Sequence, residues 1–85
     1  MILLTGLWDV WEDNLLITGS HNLADDDEAA TARIVADLHP GNGWAASFLV
    51  HDHKRAVQKA YDTYVSHESG SELIDEVHHF EPDRD

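Results

Sequence analysis

Strand-like runs with a hydrophobic period of two and helix-like runs with a period near 3.6 follow one another along this chain, separated by turn-forming residues. That succession admits little other than a small sheet carrying helices. Ile2 to Trp11 reads as a strand, with Ile2, Leu4, Trp8 and Val10 on one face and Leu3, Leu7 and Trp11 on the other. Glu12-Asp13-Asn14 supplies the turn, Asn14 being able to take a positive φ, and Leu15 to Ser20 returns as a second strand of a β-hairpin. Asp25 is placed to cap a helix with Glu28 three residues on, and that helix is expected to run to about Leu38 and bury Ala30, Ile34, Val35 and Leu38. His39-Pro40-Gly41-Asn42-Gly43 ends it.

The second half repeats the alternation. Trp44 to His51 reads as a strand with Trp44, Ala46, Phe48 and Val50 on one face. Asp52 can cap the next helix, whose stripe is Ala56, Val57, Ala60, Tyr61, Tyr64 and Val65, the clearest amphipathic pattern in the chain. Gly70, after Ser66-His67-Glu68-Ser69, is the expected stop. Leu73 to Phe80 fits a helical face through Leu73, Val77 and Phe80, but the β-prone His78-His79-Phe80 before Pro82 favours a closing strand. The predicted class is α+β in the order ββαβαβ, a three- or four-stranded sheet with two helices on one face. One compact domain is expected over residues 1–81, with 82–85 as a frayed tail.

Eighty-five residues fit one core, and a hydrophobic share of 42 % is enough to build it. Without cysteine the chain has neither disulfides nor thiolate metal sites. Met1-Ile2-Leu3-Leu4 is apolar but has no basic flank, so no signal peptide is expected, and no apolar run approaches the roughly 20 residues of a membrane span. The simplest location is the cytoplasm. Seventeen Asp and Glu against five Lys and Arg give a net charge of −12. That balance argues against direct binding of nucleic acid, which needs clustered Lys and Arg, and against anionic lipid surfaces. It favours a basic partner.

Four groups of residues bear on chemistry. The carboxylates Asp25, Asp26, Asp27 and Glu28 could present a row of negative charge, yet acidic residues in a first helical turn are also stabilised by the helix dipole. Asp37, Asp62, Glu72, Asp75 and Glu76 extend the candidate acidic surface, carboxylates three or four apart on a helix lying about 5–6 Å from one another. His51 and His53 would share a side of an extended segment, and His78 or His79 could add a metal ligand if the last strand lies beside them; the plainer alternative is surface histidines. Seven added protons would bring the net charge from −12 to −5, so mildly acidic pH should alter the molecule's behaviour. Leu3, Leu7 and Trp11 form a candidate dimer or partner patch, with core packing as the rival. No nucleophile elbow, phosphate loop, HExxH pair or Cys–His arrangement is present, so neither catalysis nor a cofactor is expected.

In its excess of Asp, scarcity of Lys and lack of Cys the chain resembles proteins of extremely halophilic archaea, which would make the acidity environmental and the domain a small accessory or regulatory dimer. In size and charge it also resembles the small acidic α+β proteins that act as DNA mimics, anti-restriction and anti-CRISPR proteins and nuclease immunity proteins. That resemblance implies a non-enzymatic protein–protein interaction domain, an inhibitor of a basic nucleic-acid-handling partner.

Overall fold

The structure, a computed structural model, describes residues 1–38, 41–66 and 71–83. Its elements are β1 (Ile2–Asp9), β2 (Asn14–Asn22), α1 (Glu28–Ala36), β3 (Gly43–Phe48), α2 (His53–Ala60) with a π-helical continuation (Tyr61–Val65), and β4 (Leu73–Asp75). The predicted α+β class and ββαβαβ order hold. The four strands lie in the order β3-β1-β2-β4, antiparallel except for the parallel β2–β4 pair. Among the described residues no helix is long and apolar enough to cross a membrane.

The hairpin turns earlier than the strand pattern implies. Asp9 pairs with Asn14, and the left-handed residue is Asp13 (φ 58°), not Asn14. Asp9 Oδ1 accepts the amides of Trp11 at 3.0 Å and Glu12 at 3.4 Å, which ends β1 and turns Val10 and Trp11 outward. Val10 therefore leaves the core face to which its parity assigned it.

Ile2 and Leu4 of β1, Leu15 and Ile17 of β2 and Leu73 of β4 form the main core with Val50, Ala56, Val57, Ala60 and Val65. Each of the Ile, Leu and Val side chains, fully buried, contributes about 1.5–3 kcal/mol. Trp8, Trp44, Phe48 and Tyr61 seal its edges, and Trp44 meets Tyr64 edge-on at 5.4 Å. Asp52 caps α2 as expected, its Oδ1 accepting the Arg55 amide at 2.8 Å. After Ala60 the helix widens, the Ser66 amide reaching Tyr61 O at 2.8 Å. The widened turn keeps Val65 in the core and leaves Tyr64 largely exposed.

The two helices do not share a face. The α2 helix covers the Ile2–Leu4 side, whereas α1 lies over the other side, Ile34 and Leu38 bordering Thr5, Leu7 and His21, and Val35 bordering Ser47. It is a lighter cover: no α1 residue is buried, Val35 is largely exposed, and Leu3 beneath is only 2 % exposed. The cap of α1 is Asp27, accepting the Ala30 amide at 3.0 Å, because Asp25 is drawn instead to the Met1 amino group at 2.9 Å. The stop assigned to residues 39–43 lies partly outside the described residues, and Gly41 within it has φ 98°. The stop at Gly70 lies wholly outside them.

The closing strand forms but lasts three residues. The Leu15 amide donates to Glu72 O and the Glu76 amide to Ile17 O, fixing the parallel register. Beyond Asp75 the chain turns instead of continuing to Phe80. Nor is the C-terminal segment frayed from residue 82: Pro82 is buried, and Asp83 both donates to Gln58 Oε1 at 2.7 Å and accepts from Gln58 Nε2 at 3.1 Å.

Candidate functional site

Two places concentrate candidate functional side chains. The first is the tip of the β1–β2 hairpin. Trp11 is 93 % exposed and Val10 69 %, while the backbone beneath them is fixed. Besides the Asp9 contacts, Asp13 accepts the Trp8 indole N–H at 2.9 Å and the Ser71 hydroxyl at 2.7 Å. These two bonds, the Ser71 one foremost, hold the Asp13 carboxyl below its ordinary pKa. A large aromatic is thus held in water on a braced loop that also carries Asp9, Glu12 and Asp13. The expected patch of Leu3, Leu7 and Trp11 does not exist as a surface: Leu3 is buried beneath α1 and only Trp11 stands free.

The second place is where α2 meets the turn after β4. Asp75 is 3 % exposed. Its Oδ2 lies 2.7 Å from His53 Nε2 and accepts the Phe80 amide at 3.2 Å, and its Oδ1 accepts the amides of Val77 at 3.0 Å and His78 at 3.3 Å. Burial alone would raise its pKa, but the His53 contact and the three amides outweigh burial and leave it below the ordinary value. The His78 ring stands edge-on to that of His53, with centroids 4.6 Å apart. An open groove of about 690 Å³ borders this pair, lined also by Asp52, Lys54 and Arg55.

The structure redistributes the predicted site residues. Asp75 belongs to the interior and not to the acidic surface, since its parity in β4 points it inward beside Leu73. Asp25 binds the Met1 amino group, which depresses its pKa, and Asp27 is the α1 cap. Asp62 accepts from Gln58 Nε2 at 3.1 Å; Asp26, Glu28 and Asp37 are exposed in and around α1, and Glu72 and Glu76 are exposed at the two ends of β4. Of the four histidines proposed for a metal, His53 and His78 come together. His51 does not share a strand face with His53, because Asp52 starts the helix between them, and His79 is turned away on a left-handed backbone (φ 56°). Among the described residues no group of three or more His, Cys, Asp or Glu converges on one point.

Sequence reasoning missed Asp9 and Asp13 as the braces of the tip. The available signal was their spacing around Val10-Trp11, since Asp readily accepts amides two residues on. No protein-family model matches this chain, and no curated protein or solved structure is significantly similar to it.

Proposed function

We propose that this domain is a non-enzymatic protein-recognition module whose target is a basic protein surface, bound through Trp11 and the carboxylates around it. The supporting observation is the exposed Trp11 on a pre-braced hairpin tip. Tryptophan is the side chain most enriched among residues that dominate binding energy, and a rigid loop loses little entropy on docking. A net charge of −12 selects a basic target and speeds its encounter at low salt. A basic groove built for nucleic acid has that character, which makes inhibition of such a protein the sharper form of the proposal.

The test is affinity capture with the wild-type domain beside a Trp11→Ala variant and an Asp9→Asn/Glu12→Gln double variant. A basic protein should be retained by the wild type, with Trp11→Ala weakening binding by about 30-fold or more, the scale of a dominant interface residue of ~2 kcal/mol. The melting temperature should stay within a few degrees, because the side chain touches so little. Equal retention by Trp11→Ala, or an acidic partner, would overturn the proposal. Lysine substitutions over Asp25–Glu28 that leave retention intact would count heavily against the inhibitor form of the proposal.

A second reading rests on the spread of exposed carboxylates over the hairpin tip, both helices and the C-terminal segment, which is the distribution expected of adaptation to a saline cytoplasm. Thermal unfolding followed by circular dichroism from dilute buffer to molar potassium chloride separates the two. Cooperative folding only at high salt assigns the charge to the environment; a stable fold in dilute buffer leaves it as a binding determinant.

A further inference from the structure

We infer that the free edge of β3 takes an extended, basic segment of the partner protein as a fifth strand of the sheet. The inference rests on the basic target proposed above and assigns the place where that target's chain is gripped. Hydrogen-bond parity fixes which groups of β3 are free. Trp8 donates its amide to Asn42 O, and Leu15 and Ile17 bond to β4, so in β1 the even residues face β3 and the odd ones face β2. Trp44, Ala46 and Phe48 therefore bond to β1, while the N–H and C=O of Gly43, Ala45 and Ser47 point away from it. Among the described residues no strand lies beyond β3, and no hydrogen bond is made to those outward groups. A row of unpaired donors and acceptors at every second residue is the template on which an extended peptide adds a strand.

The two edges of the sheet differ in kind. At one, β4 is three residues long and has an exposed glutamate at either end, Glu72 and Glu76. Shortness and charge both close an edge to further pairing. At the other, β3 runs for six residues, Gly43-Trp44-Ala45-Ala46-Ser47-Phe48, without a charge, a proline or a break in register. A groove of about 360 Å³ lies between this edge and α1, lined by Asp27, Glu28, Thr31, Ala32, Val35 and Ser47 among others. Successive side chains of an added strand alternate between the two faces of the sheet, so every second one would enter that groove. Ala32 and Val35 offer it exposed apolar surface, and the exposed Glu28 carboxylate suits a lysine or arginine. A second copy of this chain is a poor occupant, since it brings a further net charge of −12 to the same edge. A basic segment brings the opposite sign.

The experiment titrates the ¹⁵N-labelled full chain with synthetic peptides six residues long, the length of β3. One alternates valine and lysine, one valine and glutamate, and one proline and lysine. The valine–lysine peptide should bind saturably, shifting the amides of Gly43, Ala45 and Ser47 and slowing their hydrogen exchange, while the β4 amides stay in place. The valine–glutamate peptide should not bind. The proline–lysine peptide has the same charge but cannot donate to a ladder, and should bind about tenfold more weakly or less. Ala45→Pro removes one outward N–H and none of the bonds to β1, and should weaken binding by about tenfold or more. Val35→Lys, on the exposed side of α1, should weaken it too. Trp11→Ala should bind the peptide as the wild type does, so failure at the hairpin tip and failure at this edge are read separately. Several results would each overturn the inference: no saturable binding, equal binding of the proline–lysine peptide, shifts confined to other elements, or unchanged affinity in a folded Ala45→Pro variant. So would a dimer by sedimentation whose own contact already protects the three β3 amides. Should Ala45→Pro unfold, Val35→Lys and the wild-type exchange rates decide.

Discussion

Asp75→Ala is expected to lower the melting temperature by roughly 12–40 °C, enough to leave much of the chain unfolded at physiological temperature. The substitution removes one acceptor group and strands four donors: His53 Nε2 and the amides of Val77, His78 and Phe80. Deleting one partner of a buried ionic or charge-assisted network costs about 3–5 kcal/mol, because what remains is desolvated and unpaired. A chain of this length has only about 4–13 kcal/mol of stability in all. Asp75→Asn should fall between. Its single oxygen can still accept amides, but its NH₂ faces the His53 nitrogen and forces the other tautomer, placing a proton on the partnerless Nδ1. An Asp75→Ala melt within a few degrees of wild type would mean that the whole network contributes nothing net.

The same carboxylate sets an acid limit. Its folded-state pKa lies below the ordinary 3.8, so the unfolded chain takes up the proton first as pH falls. Stability from Asp75 is therefore fully present above about pH 4 and is lost as pH drops through the depressed folded-state value. Thermal melts at half-unit steps should show a fall in melting temperature beginning below that point in the wild type. In Asp75→Asn this component of the acid sensitivity should be gone.

Much of this fold is legible in local pattern, and the reasons for the rest are specific. The Asp52 cap and the buried Ala56, Val57 and Ala60 of the α2 stripe follow from cap chemistry and helical spacing alone, whereas Tyr61 and Tyr64, expected on the same stripe, end half-buried and exposed where the helix widens. The α1 cap was not decidable locally, since Asp25, Asp26 and Asp27 are chemically equivalent until the Met1 amino group, brought over by the β1–β2 pairing, claims Asp25. The faces covered by the helices follow from a signal in β1 itself. Strand β1 is apolar on both parities, Ile2 and Leu4 on one and Leu3 and Leu7 on the other, and a central strand of that kind needs cover on both sides. The histidine pair was half visible. Period-two reasoning joined His51 to His53, whereas the joining is tertiary: β4 runs parallel beside β2 and delivers His78 to a helix that starts more than twenty residues earlier. Asp75 was the hardest to read, because a carboxylate in an acid-rich chain looks like surface until its partner at position 53 is known.

Gly6→Ala is the other substitution with a large expected effect, although it adds one methyl group. Gly6 sits in the central strand at a register break, where Thr5 pairs with Gly19 and Gly6 with Ile17, so that Thr18 is the extra residue of β2. A Cβ built at Gly6 would fall 1.8 Å from the Leu16 carbonyl oxygen and 2.9 Å from its carbon. Both are backbone atoms of the neighbouring strand, so no rotamer change relieves the clash. Relief requires β1 and β2 to part at the bulge, which weakens the longest ladder of the sheet and disturbs the packing of Leu4 and Ile17 beside it. The cost belongs at or above the upper end of the ~1–3 kcal/mol of ordinary overpacking. About 3 kcal/mol corresponds to a melting temperature lower by roughly 12–24 °C in a domain this small. Gly41→Ala is the control. Nothing lies within 4 Å of a Cβ there, and the strain comes only from its φ of 98°, so a smaller loss is expected. If Gly6→Ala melted no lower than Gly41→Ala, the close approach of β1 and β2 at the bulge would not be a constraint on the fold. If it melts far lower, the bulge fixes the hairpin register, and with it the position of the tip that carries Trp11.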